Sequence, residues 1–253
     1  MKTRKMWEMT RLDIESAIKS GMGIILPVGS TEQHGYHLPV STDTIIAVES
    51  AIAVAEESNM IVAPPVAYGC KSRPLSGGGE GFAGTISVKG TVFIHLLVDI
   101  LEELIADGFK KIVLFNGHME NAAFIYEAAF EAYKNVQRPD TKILVFDMLV
   151  NGFSEQTMDA VFGDDFAGWG LEHASIYETS VMLHVKPELV NMDAAVDDCP
   201  EEVCWYDILP APDKMLTKSG NLWKATKASK EKGELLWKEQ VASLLSAVKK
   251  EFK

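Results

Sequence analysis

Residues 23–35 read GIILPVGSTEQHG: an unbroken apolar run, a glycine, and then a cluster of side chains that bind ions. Residues 111–121, KIVLFNGHMEN, repeat that arrangement. A short apolar run rich in β-branched residues is a strand buried on both faces, and such strands belong to parallel sheets covered by helices. The flanking segments agree. Thr10–Ser20 reads as a capped helix stopped by Gly21, and Thr44–Ser58 as a helix capped by Asp43 or Thr44. Ile61–Val66 reads as a short strand whose ladder Pro64 and Pro65 end early. Further on, Thr91–Asp107 is a helix ended at Gly108, Lys111–Phe115 a central strand, Met119–Asn135 a helix and Lys142–Phe146 a strand. The pattern loosens over Asn151–Gly170, resumes as a helix near His173–His184, is irregular over Pro187–Gly220 and closes with a helix over Thr226–Phe252. Strands alternating with helices predict an α/β fold with a mostly parallel sheet.

At ~150 residues per domain, 253 residues make one domain or two, and without an internal repeat or linker a single domain spanning 1–253 is the expectation. Lys and Arg number 24 against 36 Asp and Glu, a net charge of −12. Such a chain has no field to hold a nucleic acid backbone or an anionic membrane. No apolar run reaches the ~18 residues of a membrane span. The basic start is followed by Glu8, Arg11 and Asp13 before any apolar run of leader length. Cys70, Cys199 and Cys204 are odd in number and suggest neither a disulfide framework nor a zinc knuckle, so a cytoplasmic protein is expected.

The chemistry concentrates where the two apolar runs end. Open α/β sheets bind ligands beyond the carboxyl ends of their strands, so both clusters reach one rim. In each, a carboxylate and an imidazole stand two residues apart: Glu32 with His34, and His118 with Glu120. Extended backbone points such a pair the same way. Asp43 adds a carboxylate at the next helix start. Taken singly, Glu32 or Asp43 reads as a helix cap and His118 as a satisfied rim histidine; the repetition at two strand ends favours ligands. Five nitrogen and oxygen ligands without a thiolate are too many for one catalytic zinc, and they suit two divalent cations sharing a bridging carboxylate.

The runs LPVGSTEQHGYHLPVSTDT, KSRPLSGGG, NGHMEN, GWGLEHASIYETS and KASKEKGEL, in this order over nearly the whole chain, resemble the creatininase (creatinine amidohydrolase) family. The resemblance implies a three-layer α/β/α sandwich, a homohexamer, and a two-metal site that hydrolyses a small cyclic amide. It implies that Glu32, Asp43 and His118 hold one cation and His34, Asp43 and Glu120 the second, as Zn2+ and/or Mn2+. It further implies that His173 transfers protons, that Glu178 and Glu120 belong to the catalytic network, and that Ser76, Gly77, Gly78, Met119, Trp169 and Gly170 line the substrate. Three positions depart from the family's creatinine-binding pattern: Met119 stands for a tyrosine, Leu149 for a lid tryptophan and Gly170 for an aspartate. The same metal site acting on another ring, such as an inositol-derived cyclic ketone, is the alternative, with a non-catalytic metal-binding protein behind it.

Other signals are discounted. GEGFAG at Gly79–Gly84 fits a dinucleotide pattern, but TISVKG after it looks strand-like and offers no helix N-terminus for a pyrophosphate. His37 reads as a neighbour of the ligands rather than one of them, and Cys70 as a buried inert thiol.

Overall fold

Ile24, Leu26 and Val28 turn one way and Ile25 the other, and this alternation places helices on both faces of the sheet. The computed structural model describes residues 2–76, 79–147 and 152–252. Among these, β1 (Gly23–Val28), β2 (Met60–Val62), β3 (Lys111–Asn116) and β4 (Lys142–Phe146) form a parallel sheet in the order β2-β1-β3-β4. Ile24, Leu26, Ile112 and Leu114 pack against α1 (Arg11–Lys19), α3 (Gly90–Asp107) and α4 (Ala122–Val136). Ile25, Val113 and Phe115 pack against α2 (Thr42–Glu56) and α7 (Lys230–Glu251). The fold is therefore a three-layer α/β/α arrangement. A third apolar cluster joins α5 (Glu155–Val161) and α6 (Ile176–Val185) to α2 and α7 through Val161, Tyr177, Val181, Ile46 and Leu236.

Several element boundaries differ from expectation. The second strand stops at Val62, before Pro64 and Pro65; past the prolines an isolated bridge pairs Val66 with Val28. The second helix starts at Thr42, so Asp43 lies inside its first turn rather than capping it. Met119–Asn121 is a 3-10 turn before α4, and Ala225–Lys227 a 3-10 turn before α7. The helix expected from His173 begins at Ile176, because Ala174 takes a left-handed φ of 51° that interrupts the spiral. Thr85–Lys89 is irregular rather than a strand; its Ile86 N–H bonds to the Thr31 carbonyl at 2.9 Å, tying it to the loop after β1. The short α5 carried too little periodicity to be read from sequence. Among the described residues no helix is long and apolar enough to cross a membrane.

Candidate metal centre

Two glycines bring the centre together. A Cβ on Gly29, just past β1, would lie 2.5 Å from Thr44 Cα, and one on Gly117, just past β3, 2.4 Å from the Asp43 carbonyl oxygen. The ends of the two central strands thus press against the first turn of α2, with Asp43 between them. Asn121 locks the arrangement: its amide donates to the Gly29 carbonyl at 3.0 Å and its oxygen accepts from Cys70 N at 2.8 Å.

The buried Asp43 carboxylate faces both histidines. Its Oδ1 is 2.9 Å from His34 Nε2 and its Oδ2 is 3.1 Å from His118 Nδ1. Glu32 Oε2 completes one triad at 3.1 Å from His118 Nδ1. The other is completed by Glu178, whose Oε2 is 3.5 Å from His34 Nε2. Glu32, Asp43 and His118, and likewise His34, Asp43 and Glu178, offer ligand atoms within 4.8 Å of one another. Glu120, expected beside His34, instead lies against the other imidazole, 3.4 Å from His118 Nε2.

Each imidazole has its outer nitrogen on a main-chain carbonyl, His34 Nδ1 on Glu32 O at 3.0 Å and His118 Nε2 on Cys70 O at 3.1 Å. A carbonyl only accepts, so these nitrogens carry the protons and a neutral ring turns its lone pair inward, toward the carboxylates. Among the described residues, His34 Nε2 and Asp43 Oδ2 are buried and, despite these close approaches, make no aligned hydrogen bond. This donor set fits divalent cations, which satisfy the inward lone pairs and the carboxylate charge together. In the metal-free chain the same charges act on the protons. Burial opposes a charged His34, yet Asp43 and Glu178 outweigh it and hold its pKa well above the usual imidazole value. Burial likewise raises Glu32 and Asp43, but the histidines prevail: His173 and His118 bring Glu32 down to about 2, and His34 and His118 hold Asp43 below the usual carboxylate range.

Around the triads, Ser72 Oγ donates to Glu32, and Ser76 Oγ donates to Glu120. Glu178 also accepts from Ala174 N at 2.6 Å. The His173 ring lies 4.4 Å from that of His34. Met119, Trp169, Gly170 and His173 line the same cavity as the carboxylates. Trp169 is backed by Phe153, Phe162, Phe166 and Tyr177, with ring centroids 5.0–6.0 Å away. Gly77, Gly78 and Leu149 lie outside the described residues. Glu172, which sequence reasoning passed over, also lines this cavity at 1 % exposure, and burial pushes its pKa up to about 7. Its only signal was its place beside His173. The buried His37 bonds Thr179 Oγ1 at 2.8 Å, away from both triads. Burial pushes the Cys70 thiol up to about 12.

The family model for creatinine amidohydrolase matches residues 7–248. Creatinine amidohydrolase from Pseudomonas putida is 34% identical over 97% of this chain and 96% of its own. A mycofactocin precursor peptide peptidase from Mycolicibacterium smegmatis is 31% identical over 90% of this chain and 84% of its own. A 3-dehydro-scyllo-inosose hydrolase from Thermotoga maritima is 29% identical over 85% and 64%. A crystal structure of creatinine amidohydrolase superposes with a TM-score of 0.94 at 33% identity, covering 100% of this chain and 99% of that one. Solved creatininases include forms described as Zn-Zn and as Mn. With the family model spanning almost its full length, this chain belongs to the creatininase family.

Proposed function

We propose that the protein is a two-cation hydrolase that opens a small ring at an amide bond, as the creatinine amidohydrolase relative does by name. The observation that carries this reading is the Asp43 carboxylate, which turns one oxygen to each of two inward-facing imidazoles. Glu32, Asp43 and His118 hold one cation; His34, Asp43 and Glu178 hold the other. Divalent cations there, zinc or manganese as in the solved relatives, supply Lewis acidity and lower the pKa of water toward neutrality. Glu120 belongs to neither triad, is gripped by Ser76, and takes the proton of the attacking water. His173 delivers a proton to the leaving nitrogen. Ser76, with Gly77 and Gly78 beside it, and the Trp169 and Met119 walls orient the small-molecule substrate. The enzyme is cytoplasmic, in keeping with its three free cysteines, and a homohexamer. The exposed Trp205, Tyr206, Ile208 and Leu209 supply apolar surface for that assembly.

A second reading keeps the cations and changes the ring. Met119 is 39% exposed at the cavity and a Cβ on Gly170 would meet nothing within 4 Å, so the wall is open where the family's creatinine hydrolases carry polar groups. An inosose-type ketone, the substrate class in the name of one relative, is compatible with that wall.

The test is metal analysis of the purified protein, followed by mass spectrometry with creatinine, lactams, hydantoins, inosose ketones and short peptides. Two cations per chain and hydrolysis of one ring are expected. Full activity with one cation overturns the two-cation reading. His173→Ala is expected to lower kcat by ~10²–10⁴ with metal content unchanged.

A further inference from the structure

Between Glu32 and His34 stands Gln33, whose buried side chain turns toward His173. Two main-chain groups set the orientation of its amide. The Gln33 Nε2 donates to the Gly220 carbonyl at 2.9 Å, and its Oε1 accepts from Gly35 N at 2.9 Å. Flipping the amide would set oxygen against oxygen and N–H against N–H. The second amide hydrogen is therefore committed to His173 Nε2, 3.0 Å away. The same ring nitrogen lies 2.9 Å from the main-chain oxygen of Gln33 itself.

These two partners are opposite in kind. A carbonyl oxygen only accepts, and an amide nitrogen only donates. When Nε2 carries a proton it bonds the Gln33 carbonyl; when it is bare it accepts from the Gln33 amide. Either proton state of Nε2 has a partner, and among the described residues no hydrogen bond reaches Nδ1. We infer that Gln33 is a positioning residue for His173, anchoring the ring through Nε2 in both neutral tautomers and leaving Nδ1 as the nitrogen that exchanges protons. The inference rests on the proposed role of His173 as proton carrier.

The clamp is built from a second direction. Gly220 has a φ of 91°, and a Cβ there would lie 1.9 Å from Gln33 Oε1, so the loop closes on the glutamine only with glycine at this position. Two residues on, Leu222 N donates to the His173 carbonyl at 3.1 Å. One short loop thus holds both partners in register.

The experiment uses the zinc-loaded protein with ¹⁵N-labelled histidine. Long-range proton–nitrogen spectra read the His173 tautomers, assigned by the signals lost in His173→Gln. Gln33→Met removes the donor to Nε2, and Gln33→Glu keeps the acceptor for Gly35 N while replacing that donor by a second acceptor. Both substitutions are expected to move the tautomer ratio toward Nε2–H, by roughly fivefold for Met as one hydrogen bond is lost, and further for Glu. Zinc content is expected to stay at the wild-type value. An unmoved ratio in both variants, or loss of zinc in both, overturns the assignment. The two readings fail separately. A tautomer shift in a chain that hydrolyses nothing leaves the Gln33 clamp standing without the catalytic reading, and hydrolysis with no shift removes the clamp alone.

Discussion

Gly117 and Asp43 approach so closely that a Cβ on the glycine would stand 2.4 Å from the aspartate's main-chain oxygen. That oxygen is fixed in the first turn of α2, so it cannot move aside as a flexible side chain would. Gly117→Ala is therefore expected to push the strand end and the helix start apart, at a cost of ~1–3 kcal/mol typical of overpacking. Both cations should weaken together, because the displaced residue faces both triads. Thermal unfolding of the metal-free chain and cation content of the loaded one check the two halves.

Substitutions within the centre should separate its members. Asp43→Ala is expected to empty both cation positions, whereas His34→Ala and Glu178→Gln should chiefly empty one and the same position. Glu120→Gln should leave both filled while lowering kcat by ~10²-fold or more. Elemental analysis beside single-turnover kinetics distinguishes these outcomes; cation loss in Glu120→Gln would return that carboxylate to the ligand set.

Acid lability has a separate source in His37. Burial, reinforced by His34 and His173, lowers its pKa from 6.5 to about 4 in the folded chain. Between those values the unfolded chain binds more protons, so this contribution is complete above pH 6.5 and is lost as the pH falls toward 4. Its ceiling is about 3 kcal/mol. His37→Gln can still bond Thr179 and does not titrate. Denaturant melts at pH 7 and pH 4 should differ less for this variant than for the parent; an equal difference would place the lability elsewhere.

Creatinine should be a poor substrate, and the empty space at Gly170 shows where to restore it. Its absent Cβ would meet nothing within 4 Å, so an aspartate fits. Met119→Tyr with Gly170→Asp, and Leu149→Trp added on the family pattern, is expected to raise kcat/KM for creatinine by roughly 10- to 100-fold, the scale of regained polar contacts. Steady-state kinetics check it, and a parent already above ~10⁴ M⁻¹s⁻¹ contradicts the premise.

The ends of β1 and β3 were legible in the sequence because a glycine after an apolar run marks a strand end, and strand ends are where such sheets bind ligands. Glu32, His34, Asp43 and His118 follow from that local logic. Glu178 does not. Its approach to His34 depends on where α6 begins, which Ala174 sets by a left-handed turn that favours glycine and that no pattern rule expects of alanine. The pairing of Glu120 with His34 came from the family resemblance alone; the local pattern places Glu120 only near His118, where it lies 3.4 Å from Nε2. Gln33 was hidden because its partners, His173 and Gly220, lie far along the chain and meet it only in the folded molecule.

The strand order also divides labour in a way that bears on how such a protein can change. Most of the cation-facing residues follow the two inner strands, β1 and β3, while the edge strand β2 leads into Ala67–Ser76. That edge segment braces the inner loops through the Cys70 carbonyl on His118, Ser72 on Glu32 and Ser76 on Glu120, so an exchange there reaches the inorganic chemistry as well as what enters the cavity.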